Sequence, residues 1–485
     1  MINNYNCTLG RRIMAPSLHA AGRRRAFCDI AYRWPMMNFA FRLLFGNRFD
    51  EFPWACWNFN SVYQSIPSFL LCEVVYSLNF LICVFHLLTQ NNRTVRARQL
   101  ILFLCALLGG IGNDVIFSFL PVVDNFFHSQ AALMVTPRFP LYILFYYISW
   151  LYVPTTLLLS QRNFFSRGIF TNASLISMLC AIIYWPWDIV GAKFVWWTWH
   201  TTDNSLRHRY LGVPLASTLW TVVFCFVWGG LYHGTSVGAP PSWGQSLRAT
   251  LSVFLFSVPI MMVIMGTMTA ITGGVTTPML LLCVILIVVT FLIFSLRYSN
   301  NKEENGNTTG TLGTTKNLEW IYTCVILHYA YLMFTIYYYD PKIQISTGVH
   351  QTFGPCGVEG IDMSGLKRSI YTCGDDLNNS NVHHSFQCTA GVSSNRRGLL
   401  RIIEPSMEHR KWYTVCGKFK STSWMVNAAI CIAGSFVSFM SVLHLSRKTT
   451  STNVGNPKHQ KSDWLTNARL LRGRCSFFAK CMDKT

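Results

Sequence analysis

Apolar residues along this chain come in unbroken runs of about twenty, parted by short polar stretches. A half-buried strand would alternate at every second residue, and a surface helix would show a single apolar stripe. Runs of this length match the ~17–25 residues a helix needs to cross a bilayer. They fall at 66–89, 100–120, 139–160, 169–187, 211–233, 249–270, 274–297, 318–339 and 424–446. Lipid offers no hydrogen-bond partner to an open strand edge, so each run reads as a helix. The pattern predicts an all-α integral membrane protein of about nine transmembrane helices. Residues 66–339 form an eight-helix core in this reading, 340–423 a Cys-rich loop and 424–446 the last helix. A basic tail, 447–485, follows.

Residues 1–65 are Arg-rich, and their apolar stretch 27–46 is broken by Arg33, Pro35 and Arg42. Three readings stay open for this segment: an interfacial helix, a start at Met36 or Met37, or a removed targeting segment. In the last two of these, part of it is not in the working protein.

Composition narrows the class. Of 485 residues, 51% are hydrophobic and 12% charged, which excludes a disordered chain, a coiled coil and an ordinary cytosolic enzyme. The net charge of +20 would suggest nucleic acid, but its distribution does not. Eight Arg lie in residues 1–51 and nine Lys or Arg in 446–485; most of the rest sit in short loops. Such flanks suit anionic lipid and the positive-inside rule, so the expected partner is the bilayer.

Orientation rests on the 340–423 loop. Cys356, Cys373, Cys388 and Cys416 are an even set in a polar stretch, as two disulfides would require, and no C-x2-C pair supports a zinc site. Three pairings are open. The sequon at Asn378 also expects a lumenal or extracellular face. Loops 90–99, 161–168, 234–248 and 297–317, with Arg93, Arg96, Arg98, Arg162, Arg167, Arg248, Arg297, Lys302 and Lys316, then fall in the cytosol, with the C-terminal tail. The expected location is the plasma membrane or secretory pathway.

Two sets of residues are candidates for chemistry. The stretch 184–220 holds Trp185, Trp187, Trp196, Trp197 and Trp199 beside Asp188, His200 and Asp203. His200 and Asp203, at i and i+3, would share a helix face, where a carboxylate orients an imidazole for acid–base work. A plain aromatic belt at the membrane interface is the competing reading. The second set is Glu73, Asp114 and His328, ionisable groups on three different spans, where a polar path for a transporter or receptor would need them. The remaining Cys, such as Cys72 and Cys180, read as small buried hydrophobes, His86 and His233 as interfacial, and Gly109-Gly110-Ile111-Gly112 as a close helix contact. No metal site or cofactor motif is evident.

The run Trp196-Trp197-Thr198-Trp199-His200-Thr201-Thr202-Asp203 with Gly212-Val213-Pro214, and the run Gly348–Cys356 with Tyr371-Thr372-Cys373, resemble a multi-pass family of flatworms and other invertebrates defined by a domain of unknown function. That resemblance covers about 50–446 and implies architecture without an activity. Asp188, Trp196–Trp199 and Gly212-Val213-Pro214 are also similar, in order, to a local pattern of membrane carotenoid hydratases and cyclases, with Ser217 where that family has Asn. It implies a lipid or isoprenoid ligand near 184–210.

Overall fold

The computed structural model describes residues 59–448, except 120–122, 137, 162–167, 237–241, 273–277, 282, 286, 290–315, 363–364, 374–383, 387 and 389–410. The Arg-rich start to residue 58, the sequon at Asn378, most of the 298–317 linker and the tail from 449 lie outside the described residues. By its contacts the chain forms two units, 1–442 and 443–485. In the second, the described part is the end of the last helix, where Ser446 Oγ donates to Leu443 O at 2.8 Å. The rest of the description concerns the first.

A short helix, α1 (Phe59–Ser65), is followed by α2 (Pro67–Leu88), with Pro67 at the helix start where its missing N–H costs nothing. Then come α3 (Arg93–Phe119), α4 (Tyr142–Tyr147) running on into α5 (Val153–Leu159), α6 (Ile169–Lys193), α7 (Leu215–Ser236) and α8 (Trp243–Thr272). After these stand α9 (Pro278–Val289), α10 (Leu318–Tyr338) and α11 (Thr422–Lys448). Among the described residues eight helices, with α4 and α5 counted as one, are long and apolar enough to cross a membrane. The seventh predicted run, 274–297, is represented by the shorter α9, whose continuation lies outside the described residues. Outward faces are apolar: Leu78, Leu81, Phe85 and Leu88 of α2 are 44–64% exposed. Water would not tolerate such a stripe; hydrocarbon covers it without cost.

Inside the bundle, polar side chains repair the helices that carry prolines. Pro186 interrupts α6, and a proline there cannot donate to the carbonyl four residues back. That carbonyl, Ile182 O, accepts instead from the Tyr329 hydroxyl at 3.2 Å, and Ile183 O pairs with His328 Nε2 at 3.1 Å. The other His328 nitrogen, Nδ1, lies 3.0 Å from the Tyr76 hydroxyl, which bonds Tyr331 at 2.9 Å. Between α4 and α5 the backbone widens into a π turn, Ile148–Tyr152, closed by Val153 N–H to Ile148 O. Pro154 follows it. The Trp150 carbonyl left over by this proline accepts from Cys180 Sγ at 3.2 Å, while the Trp150 indole donates back to Cys180 O at 3.0 Å.

Helix contacts are close where glycine allows them. A Cβ on Gly110 would stand 2.2 Å from the Tyr147 ring, and one on Gly112 2.5 Å from Phe254 O. The glycine run thus packs helices, as its setting in an apolar span predicts. The isolated cysteines of the spans, Cys72, Cys83, Cys105, Cys180, Cys225 and Cys283, are buried as predicted. His86, in the last turn of α2, is fully buried, with Nδ1 2.9 Å from the Tyr152 hydroxyl.

At one end the bundle carries a cap built from three loops. The loop between α3 and α4 supplies β1 (Phe126–His128), β2 (Met134–Thr136) and β3 (Phe139–Pro140). The loop between α6 and α7 supplies β4 (Trp197–Trp199), β5 (Arg209–Tyr210) and β6 (Val213–Pro214). The long loop before α11 supplies β7 (Ile345–Val349), β8 (Glu359–Ile361), β9 (Lys367–Ser369), β10 (His384–Ser385) and β11 (Trp412–Gly417). β1 pairs antiparallel with β4, Phe126 opposite Trp199 and His128 opposite Trp197, and β7, β11 and β10 form a three-stranded sheet. Gln130 N–H donates to Thr347 O at 2.8 Å, and the Ser129 and Ser346 hydroxyls bond, tying the first loop to the third. These strands are too short for hydrophobic periodicity to reveal, and among the described residues they close into no barrel. Cys356 pairs with Cys373 and Cys388 with Cys416, one of the three pairings open to the sequence. Closing loops of 17 and 28 residues restrains the unfolded chain by about 3 kcal/mol each in the chain-entropy account.

Candidate functional site

The sequence places a site at His200 and Asp203, on one helix face. Here the structure differs. β4 ends at Trp199, His200 to Asp203 run as irregular chain, and a single 3-10 turn follows at Asn204–Leu206. Asp203 is an acceptor for this turn: Oδ1 takes the Ser205 N–H at 3.0 Å and its hydroxyl at 2.6 Å. Oδ2 meets Arg368 at 3.1 Å in an ion pair both of whose side chains are buried. His200 is held by its own N–H to Asn125 O at 2.8 Å and lies 3.3 Å from the Thr202 hydroxyl through Nδ1. Burial, with the Arg368 charge beside it, pushes the His200 imidazole down to about 4. The two residues thus tie the second loop of the cap to the first and third.

The second set is also separated. Both Glu73 carboxylate oxygens accept from Ala132 N–H at 3.1 Å, so this residue holds the first cap loop to α2. His328 repairs α6, as described. Of the three, His328 borders a small separate void of about 10 Å³, and Asp114 lines a larger cavity.

That cavity lies under the cap and has a volume of about 210 Å³. Its wall includes a group of aromatic side chains, Tyr146, Tyr147 and Trp150 of the third span, Tyr184 and Trp187 of α6, and Trp220 of α7. Tyr146, Tyr147 and Trp150 stand at i, i+1 and i+4, a spacing that puts all three on one face of the helical turn, where they border one space. Tyr146 stacks on Trp187 with ring centroids 3.8 Å apart, and Trp150 lies 5.0 Å from Tyr184. Met262, Met265 and Met279 add a deformable side. The cap contributes Phe126, His128, Arg138, Trp199, Ser205 and Leu206 as a roof.

Polar groups are few and grouped. The Tyr147 hydroxyl donates to Asp114 Oδ2 at 2.8 Å and accepts from Asn113 Nδ2 at 3.2 Å. Ser217, also on the wall, donates to Asp188 Oδ2 at 2.7 Å, and Asp188 itself is fully buried behind it. At the roof, Arg138 pairs with Asp124 at 2.7 Å and donates to Phe126 O at 3.0 Å. Burial, and next the Arg138 charge, push His128 down to about 3, so it stands neutral. Among the described residues no group of three or more His, Cys, Asp or Glu is placed to hold a metal ion.

Of the sequence-predicted residues, then, Asp114 borders the chamber and Asp188 backs it through Ser217, while His200, Asp203, Glu73 and His328 do not line it. Part of the predicted 184–210 segment does form the wall, through Tyr184, Trp187, Trp199, Ser205 and Leu206. Sequence reading missed Tyr147, Trp150, Arg138 and Trp220. The signal the sequence offers for an irregular third span is Pro154, four residues after Trp150, which itself follows the Tyr146-Tyr147 pair.

A mostly helical protein with apolar helices of bilayer length, and a capped chamber between them, is the class these features define. The family described as a domain of unknown function (DUF7802) matches residues 48–447, and the chain belongs to it. No curated protein and no solved structure matches the chain.

Proposed function

We propose that this is a multi-pass protein of the plasma membrane or secretory pathway that holds a lipid-like molecule in the chamber under its cap. The carrying observation is the chamber itself: aromatic rings and methionines with polar groups at a few places, Asp114 and Tyr147 among them, the arrangement that seats an apolar body and fixes a polar end. The transporter or receptor alternative asks Glu73, Asp114 and His328 to share a path, and their separate partners weigh against it.

The topology fits nine crossings. Met279 borders the chamber with Thr269 near the cap, whereas Lys316 O accepts from Gln90 Nε2 at 2.9 Å, just beyond the other end of α2. Nine crossings would put a change of ends between these two points, with α9 at its start. Both disulfides then share the cap side, suited to an oxidising compartment, with Arg93, Arg96, Arg98 and Arg248 on the other. Asn378 should carry glycan, and the tail from 447 should be cytosolic.

The test is dodecanol titrated into the full chain in lipid nanodiscs, read by tryptophan fluorescence, with native mass spectrometry for co-purified lipid. A saturable change lost in Trp150→Leu is expected. No saturable change and no retained lipid would refute the reading.

A further inference from the structure

The chamber has a charge imbalance that narrows the ligand, an argument that rests on the binding role proposed above. Three of its lining side chains bear or can bear charge. Arg138 spends its charge on Asp124 at 2.7 Å and on Phe126 O. His128 is neutral for the reason given. Asp114 has a hydrogen bond from Tyr147, but among the described residues no Lys, Arg or His stands within ion-pair distance of it. An anionic headgroup would find no unpaired cation here. A cationic one would find a carboxylate in a low-dielectric wall, where attraction exceeds its value in water.

The surrounding rings add to this. Aromatic faces carry negative charge density, and Tyr147, Trp150, Tyr184 and Trp220 border the same space as Asp114. Rings set around an acidic group form the kind of cage that recognises alkylammonium groups. We propose that the chamber takes the ammonium head of a cationic amphiphile, with Asp114 as the counter-charge, the rings around the head, and the methionines Met262, Met265 and Met279 along the tail.

The experiment compares dodecyltrimethylammonium, dodecanol, dodecanoate and choline, each titrated below its aggregation threshold into the full chain in nanodiscs. Dodecyltrimethylammonium should bind at least tenfold more tightly than dodecanol or dodecanoate. Asp114→Asn should weaken dodecyltrimethylammonium at least tenfold more than it weakens dodecanol, while Asp114→Glu retains most of the preference. Thermal unfolding of each variant guards against misfolding. Equal binding of dodecanol and dodecyltrimethylammonium, or an Asp114→Asn variant that still prefers the cation, overturns the ammonium assignment while the lipid-binding role stands. Choline binding as tightly as dodecyltrimethylammonium overturns the amphiphile and leaves a soluble amine. Failure of all four probes refutes both readings together.

Discussion

Two aspartates, one in the cap and one in the bundle, are set in opposite ways. Asp203 in the cap is fully engaged: Ser205 occupies one oxygen and Arg368 the other. Asp114 in the bundle has one hydrogen bond from Tyr147 and faces a cavity. The first carboxylate is consumed by architecture, since its charge joins two loops that share no helix. The second keeps capacity in reserve. A buried acid is therefore informative about function only once its partners are known.

The comparison is broken most severely at Arg368. Arg368→Ala leaves Asp203 buried without its counter-charge and should cost about 3–5 kcal/mol, seen as a lower unfolding temperature and easier proteolysis of the 340–421 loop. Asp203→Ala combined with Arg368→Ala should recover part of that loss, because no lone charge then remains. If Arg368→Ala unfolds like the wild type, the cap does not depend on this pair.

Next comes Gly110→Ala. The new methyl meets the Tyr147 ring, so the ring must shift and its bond to Asp114 is lost. About 1–3 kcal/mol of stability should go, together with saturable dodecanol binding. Glu73→Leu should be of similar size, about 1–3 kcal/mol, because Ala132 N–H loses its acceptor, and Glu73→Gln should restore most of it. Hydrogen exchange at Ala132 reads the difference.

Acid should separate the regions more gently. His128, His200 and His350 are held by burial, first of all, to about 3, 4 and 3, below the ordinary imidazole value near 6.5. Between 6.5 and those values the unfolded cap binds protons that the folded cap does not, so stability falls as pH falls. The slope is at most about 1.4 kcal/mol per pH unit for each histidine. The cap, followed by proteolysis of its loops, should loosen between pH 6.5 and 4, and His200→Gln should flatten that dependence. The smallest effect is Asp114→Asn on stability, expected within about 1 kcal/mol, since the cavity already relaxes packing around it. A large loss there would make Asp114 a structural residue like Asp203.

Much of the bundle was legible because hydrocarbon demands long apolar runs, and α2, α6, α7 and α10 fall where the runs predict. The four cap cysteines were legible as a set for a chemical reason, their polar setting, though not in their pairing. The chamber was not legible. Its wall comes from six helical segments, α9 included, and two cap loops, and no local pattern links Asp114 to Tyr147 or Trp220. His200 and Asp203 misled because i,i+3 spacing means a shared face only in a helix, and pairing of Trp197–Trp199 with β1 fixes the chain before them as strand. His328 looked like a charge carrier because its partners, Ile183 O of α6 and the Tyr76 hydroxyl of α2, lie on other helices far away in sequence.

The π turn at Ile148–Tyr152 makes the third span unusually tolerant of one kind of genetic edit. Removing a residue from a regular transmembrane helix rotates everything beyond the cut by about 100° and misaligns both faces. A helix with a π turn already holds one residue more than a regular ladder needs, so deleting Ser149 lets Ile148–Tyr152 close into an α turn with both flanks in phase. Such a variant should reach the membrane and unfold near the wild-type temperature, yet bind no dodecanol, because Trp150 then follows Tyr147 by only two residues and leaves the face they share. Deleting Leu157 from α5, which has no spare residue, should abolish expression. Length variation within this family should then fall inside the third span at this one turn, and nowhere else along it.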